Sequence, residues 1–294
     1  MIGIDWGTTS FRAFRIARDG SIRDRRSSPR GILTVPDARF GDTLREEIGP
    51  WLALGEDRVL LSGMIGSRQG WKEAPYLPTP ASPADVAAAL TDVAFDWARV
   101  KLVPGLTATD SAGVAEVMRG EEIQIFGVPA LMTHGGIACL PGTHSKWVRV
   151  ENGRIVGFTT HMTGETYAAL RGHTILGRTM RDGPANGPSF EAGIGRSANP
   201  GGLLHHIFGV RAQTLVGALA ETDAAAYLSG ILIGHEIRAA MVRGIGAVVH
   251  LIGAPELTQL YATAIALCGG HAERHDGDVA AGGLLSISEQ AAWH

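Results

Sequence analysis

The chain has 294 residues, of which 45% are hydrophobic and 19% charged, and a formal net charge of −3. That length suggests two domains, the composition is that of a soluble globular protein needing no disulfide or metal staple, and the charge gives no long-range pull toward nucleic acid or an anionic membrane. No apolar run reaches the roughly 18 residues of a membrane span, and MIGIDWGTTS lacks the basic-then-apolar pattern of a signal peptide, so a cytoplasmic protein is expected. Cys139 and Cys268 lie far apart and outside any ligand spacing, and are expected to be free thiols.

In chain order, residues 1–5 read as an apolar strand and 11–17 as an alternating one, with Gly7-Thr8-Thr9 between them. A turn at Asp19-Gly20 leads to a third short strand. Residues 42–54 fit a helix with Asp42 as its cap, and 58–62 a buried strand ended by Gly63. Ser82-Pro83-Ala84-Asp85 carries an N-cap, a first-turn proline and an early acid, and predicts a helix to about Trp97. A strand is predicted at 100–105 and a helix at 118–126. The opening pattern then returns: strand, Gly-Thr turn and alternating strand at 137–150, an Asn152-Gly153 hairpin signal, and a return strand at 154–160. This repeat of pattern implies a duplicated architecture, one hairpin opening each lobe. Helices are predicted at 166–179, 202–210, 224–243 and 256–267, a buried strand at 248–254, and a glycine-rich helix start at 280–288. The segment 181–201, rich in Gly, Pro and Asn, reads as a surface loop or lid.

Glycine supplies 40 of the 294 residues, a share well above the usual 7% or so, and it clusters at 63–70, 141–145 and 280–283. Many glycine turns closing on one ligand would account for this. Asp5 ends a strand where it can hold magnesium through water, and the Gly7-Thr8-Thr9 turn offers N–H groups and hydroxyls to phosphate. Gly142-Thr143 repeats that turn, and Lys146 adds a charge. Gly120-Glu121-Glu122 puts carboxylates at a helix start, either as a general base or as partners of the helix dipole. The loop 63–72 carries polar groups, glycines and Trp71 suited to a sugar, with Arg68 and Lys72 placed to meet a carboxylate. The histidines show no ligand spacing, and His205, His206, His271 and His275 are expected at the surface. The chain has neither a P-loop nor a nucleophile elbow.

The order of these pieces resembles the sugar kinase/Hsp70/actin superfamily. IGIDWGTTS at 2–10 and LPGTHSKWV at 140–148 look like its two phosphate motifs, VVHLIGA at 248–254 like a shortened adenosine motif, and AAGGL at 280–284 like its second connecting helix. GEEIQIFG at 120–127 is similar to the helix that carries the catalytic acid in glycerol-kinase-like enzymes, with Glu121 where those have aspartate. GMIGSRQGWKEAPYLPTPA at 63–81, VMRGEEIQIFG at 117–127 and MTGETYAALRGHTILG at 162–177 narrow the resemblance to the 2-dehydro-3-deoxygalactonokinase family, in the right order over nearly the whole chain.

The resemblance implies an α/β fold of two ribonuclease-H-like lobes with mixed sheets and an interlobe cleft, the lobes spanning 1–135 and 136–294. It implies phosphorylation of 2-dehydro-3-deoxy-D-galactonate at the C6 hydroxyl by ATP, with Mg²⁺. Asp5 would position the metal, while Gly7, Thr8, Thr9, Gly142, Thr143 and Lys146 would hold phosphates and Gly253 and Ala254 would face adenine or ribose. Glu121 would be the base, with Asp110 the second choice because it too follows a strand near that helix. Gly66, Ser67, Trp71 and Tyr76 would shape the sugar pocket, Arg68, Lys72 or Arg119 would meet the carboxylate, and Glu165 would orient the substrate or Lys146. A kinase of a related sugar acid, a phosphatase of the same superfamily and a non-catalytic actin-like nucleotide-binding protein are the other readings. No nucleic-acid or membrane partner is expected, and a homo-oligomer is left open.

Overall fold

The apolar opening segment becomes β1 (Ile2–Trp6), with every residue buried. In the computed structural model, which describes residues 1–241 and 248–293, the chain forms two units. The first unit contains Met1–Gly135, Val148–Phe158 and the segment from Gly277 onward; the second contains Gly136–Trp147 and Thr159–Asp276.

In the first unit β1 is followed by β2 (Phe11–Ile16), β3 (Ile22–Ser28), α1 (Phe40–Leu52) and β4 (Arg58–Ser62). Then come β5 (Leu77–Pro78), α2 (Pro83–Ala88), β6 (Thr91–Val93), β7 (Arg99–Leu102), β8 (Leu106–Thr109), β9 (Ala115–Met118), α3 (Glu121–Phe126) and α4 (Pro129–His134). The main sheet runs β3-β2-β1-β4-β7-β6. Its first three strands are antiparallel neighbours, and β1, β4 and β7 are parallel. A small sheet, β5-β8-β9, stands apart from it in pairing. Ile2, Ile4, Trp6, Phe11, Leu44 and Leu61 anchor the core.

The Ser82 capping box forms as expected, with Asp85 returning the bond to the Ser82 N–H. The helix, however, ends at Ala88 and not near Trp97. Thr91–Val93 pairs antiparallel with β7 instead, so sheet pairing overrides the helical propensity of the alanines. The helix predicted from 118 starts at Glu121 because Ala115–Met118 pairs with β8.

Beyond α4 come β10 (Gly136–Leu140), β11 (Ser145–Glu151), which passes from the second unit into the first at Val148, and β12 (Arg154–His161), which returns to the second at Thr159; α5 (Thr163–His173), α6 (Pro188–Arg196), α7 (Gly202–Leu215) and α8 (Ala224–Ala240) follow in the second unit. Next are β13 (Val248–Ile252), α9 (Pro255–Leu267) and β14 (His271–His275), and α10 (Val279–Gln290) closes the chain in the first unit. The last two residues of the helix expected over 224–243 lie outside the described residues. The sheet order is β12-β11-β10-β13-β14. It repeats the order of the first four strands of the other sheet (third, second, first, fourth), and in both sheets a parallel strand comes next. The duplication read from two Gly-Thr hairpins is therefore present as topology.

Two further elements depart from expectation. The predicted loop 181–201 contains α6, whose Gly193 lies so close to the backbone of α8 at Tyr227 and Ile231 that a Cβ would collide, while Gly230 of α8 faces Phe190 in the same way. These glycines serve close helix packing and not loop conformation. The polar HAERH stretch was not expected to be a strand, yet it pairs parallel with β13 along its whole length. Among the described residues no helix is long and apolar enough to cross a membrane.

Candidate active site

Three chain reversals of the first unit converge on Asp5. β1 and β2 pair so that Asp5 faces Arg12, and the two side chains form an ion pair. Gly63, just past β4, has φ 93°, and a Cβ there would lie 2.8 Å from the Trp6 carbonyl and 3.1 Å from Asp5 Oδ1. Gly120, ahead of α3, has φ 107°, and a Cβ on it would stand 3.2 Å from Gly63 Cα. Only glycine tolerates that conformation together with that approach, so both positions keep the space beside the carboxylate clear.

The Gly7 N–H donates to the Ser10 carbonyl at 2.9 Å, closing the first turn. The Gly7 and Thr8 carbonyls accept from Ile32 and Leu33, which pins Gly31 against the turn and leaves Thr8 and Thr9 exposed.

The 63–72 loop folds on itself, with the Trp71 N–H donating to the Ile65 carbonyl and the Ala74 N–H to that of Gly66, both at 2.9 Å. Ser67 is half-buried at its turn, its N–H bound to Met64. The Trp71 indole meets Phe95 edge-on and packs against the core. Arg68 is exposed and pairs with Glu73 at 2.9 Å, and Lys72 donates to the Asp92 carbonyl at 2.7 Å.

Arg119 differs from both. One of its terminal nitrogens donates to the Ala74 carbonyl at 2.7 Å, and its guanidinium carbon lies 4.5 Å from the centre of the Tyr76 ring. Its Nε and other terminal nitrogen are buried and have no partner among the described residues. Gly66 makes room for it, since a Cβ there would stand 3.0 Å from the guanidinium, and Gly105 makes room for the Tyr76 ring. A half-buried guanidinium whose unused donors are buried calls for an acceptor, and the fork geometry matches a carboxylate.

The two neighbouring acids of α3 separate. Glu121 accepts from the Arg119 N–H at 3.0 Å and is half-buried. Glu122 is fully buried and accepts from the Gly120 N–H at 2.7 Å and from Ser62 Oγ at 3.1 Å. Asp110, the second candidate base, caps the β8–β9 turn: its Oδ1 accepts from the N–H groups of Ala112 and Val114.

In the second unit the turn after β10 is fastened to the start of α5. The Glu165 N–H donates to the Thr143 carbonyl at 3.0 Å, and Gly164 lies against the Gly142 backbone too closely for any Cβ. The Glu165 carboxylate contacts His144. Lys146 is buried on β11, on the face opposite Ser145 and Trp147. Beside the turn opens a cavity of about 520 Å³ whose walls include Gly142, Thr143, Gly164, Tyr167, Leu257 and Tyr261. That volume lies in the roughly 300–1,000 Å³ range of small-molecule sites. Gly253 and Ala254 link β13 to α9, the helix that supplies Leu257 and Tyr261. Glu236 steadies this wall, accepting from Tyr261 at 2.6 Å and from Trp147 Nε1 at 2.8 Å.

A family model described as 2-keto-3-deoxy-galactonokinase matches residues 5–287. The chain belongs to the 2-keto-3-deoxy-galactonokinase family. It is 38% identical over 297 residues to the probable 2-dehydro-3-deoxygalactonokinase of Rhizobium meliloti (strain 1021), an alignment covering 99% of this chain and 96% of that one. It is 33% identical to the 2-dehydro-3-deoxygalactonokinase of Escherichia coli (strain K12), covering 99% and 98%. The crystal structure of a Sinorhizobium meliloti protein assigned to the same kinases matches with a TM-score of 0.88 at 36% identity, over 98% of both chains. Component A of the (R)-2-hydroxyglutaryl-CoA dehydratase of Acidaminococcus fermentans shares the fold alone, with a TM-score of 0.53 at 13% identity over 99% and 98% of the chains. The α/β fold of the actin/hexokinase type is thus borne out.

For this 2-keto-3-deoxy-galactonokinase family member, sequence reading left Glu236, Tyr167 and Gly105 unmarked, and marked Glu122 only as one of two acids at a helix start. Glu122 carries a measurable signature. Burial, with the neighbouring Glu121 charge adding to it, pushes its carboxyl up to about 8, against the hydrogen bonds that pull the other way. The unfolded chain ionises this group near 4.5, so between those two values the native state holds a proton the unfolded state has lost. Stability therefore falls as pH rises through that window and is fullest below it. Glu122→Gln mimics the protonated form and should remove the loss, by on the order of a few kcal/mol at the alkaline end. Thermal melts between about pH 5 and pH 8 should show the parent losing ground to the variant; parallel curves would contradict the assignment.

Proposed function

We propose that the chain transfers the γ-phosphoryl group of ATP to the C6 hydroxyl of 2-dehydro-3-deoxy-D-galactonate, giving the 6-phosphate and ADP within galactonate catabolism. The observation that carries this reading is the buried edge of Arg119, unpartnered among the described residues and two residues from Glu121, whose unused donors call for an anionic group. The names of the two curated relatives supply the matching acid.

In this reading Arg119 binds the acceptor's carboxylate with Tyr76 and the Gly66–Ser67 backbone around it. Glu121 takes the hydroxyl proton as that oxygen bonds to phosphorus and the bond to ADP breaks. Thr8, Thr9 and Thr143 hold phosphate oxygens with the Gly7 and Gly142 backbone, and the cavity of the second unit takes the nucleoside, near Gly253 and Ala254. The carboxylate of Asp5, flanked by two glycines that leave space beside it, suits a water-bridged Mg²⁺, which would neutralise charge on the phosphates. Glu165 acts on the phosphate turn through His144 and its own backbone N–H. A cytoplasmic location belongs to the same reading, supported by Cys139 and Cys268 as free thiols.

The test is coupled ADP release with ATP and Mg²⁺, comparing 2-dehydro-3-deoxygalactonate, its gluconate epimer, simple hexoses and no acceptor. Release that requires the galactonate-derived acid is expected. Preference for another acceptor would move the specificity, equal release without acceptor would make the protein a hydrolase, and no release at all would leave a nucleotide-binding protein.

A further inference from the structure

The edge of the second unit's sheet brings together three side chains that the kinase reading does not use. β13 and β14 run parallel with His250 opposite Glu273 and Ile252 opposite His275. Residues two apart on a strand share a face, so Glu273 and His275 stand on the face that carries His250. The result is a compact group: His250 Nδ1 is 2.9 Å from His275 Nε2, and the Glu273 carboxylate is 3.8 Å from each ring. His250 is buried, His275 half-buried and Glu273 exposed, so the group is anchored on one side and open to solvent on the other. Sequence reading placed His275 at the surface and saw no ligand spacing, because His250 and His275 meet only across two strands.

We propose that His250, Glu273 and His275 bind a divalent transition-metal cation of the zinc class, with water completing its coordination. The donor set of two imidazole nitrogens and one carboxylate suits zinc, nickel or cobalt and not the hard cations, which prefer oxygen alone. This separates the site in chemistry from any magnesium at Asp5. The spacing fits as well. Ligand atoms about 2.0–2.1 Å from a tetrahedral zinc stand roughly 3.3 Å apart, and the observed 2.9 and 3.8 Å bracket that value. Without a cation only the two rings can bond to each other, since Glu273 is beyond hydrogen-bond reach of both. A cation engages all three at once and ties the edge strand β14 to β13, just ahead of the link where the Gly253 N–H donates to the His275 carbonyl at 3.4 Å.

The experiment is calorimetric titration of tag-free, EDTA-stripped protein with zinc, nickel and cobalt salts, with thermal melts run alongside. One of these metals is expected to bind at a single saturable site and to raise the melting temperature, as a ligand selective for the native state must. His275→Ala and Glu273→Gln should each weaken that binding by about tenfold or more, while His134→Ala, on α4 of the first unit, should bind as the parent does. Glu273 is exposed, so its amide variant keeps the fold and serves if His275→Ala does not. Failure of all three metals to saturate a site, or full affinity in a folded His275→Ala or Glu273→Gln protein, would overturn the proposal.

Discussion

Glu121→Gln is expected to lower kcat by about 10²–10⁴ while leaving nucleotide affinity close to that of the parent. The substitution keeps the length of the side chain, and its amide oxygen can still accept the Arg119 N–H that now holds Glu121. What it removes is the ability to take a proton from the attacking hydroxyl. Glu122→Gln, one residue on, should leave kcat within roughly tenfold, because Glu122 is buried, keeps its proton through neutral pH and gives its oxygens to Ser62 and Gly120. The contrast between adjacent positions is what makes the result specific, since general damage to the start of α3 would depress both. Steady-state kinetics with saturating ATP and acceptor, together with nucleotide binding by calorimetry, provide the measurement. Turnover at parental level in the Glu121 variant would move the base elsewhere.

The architecture was legible where its cause is local. Two apolar strands each running into a Gly-Thr turn and an alternating strand announced the duplicated hairpins, and the two sheets share the order third, second, first, fourth. Short turns such as these are dictated by residues that stand beside one another in the chain. Legibility failed where the deciding partner is remote. Nothing within 181–201 says that Gly193 will press against Tyr227 and Gly230 of a helix some thirty residues on, so a helix-packing surface read as a loop. β14 is mostly polar because it lies at a sheet edge, and its identity as a strand comes from β13. His206 reads as a surface residue from its polar neighbours, yet it is fully buried and bonded to His235 at 2.9 Å.

The candidate site divides in the same way. The glycines and threonines of both turns stood out by spacing, but the difference between Glu121 and Glu122 is one of burial and rests on Ser62, sixty residues away. The three candidate cations, Arg68, Lys72 and Arg119, were equivalent as letters. They part only when Glu73 and the Asp92 carbonyl engage the first two, and when Gly66, Ala74, Gly105 and Tyr76 enclose the third.

That enclosure sets the second large expectation: Arg119→Met should reduce kcat/KM for the sugar acid by about 10²–10³ or more. Truncating one partner of a buried, hydrogen-bonded charge pair typically costs about 2–5 kcal/mol, and most of that loss should fall on acceptor binding, so KM for the acid rises while KM for ATP stays near its parental value. Arg119→Lys should recover little. An ammonium cannot present the planar fork, stack on Tyr76 and bond to the Ala74 carbonyl together. Arg68→Met and Lys72→Met should stay within severalfold of the parent, because these side chains are exposed and already engaged by Glu73 and the Asp92 carbonyl. The decisive comparison sets the acid against its reduced analogue, in which an alcohol replaces the carboxylate. The parent should prefer the acid strongly, whereas Arg119→Met should treat the two nearly alike. If the variant kept the parental preference for the acid, the carboxylate would be read elsewhere, and the unpartnered nitrogens of Arg119 would need another acceptor.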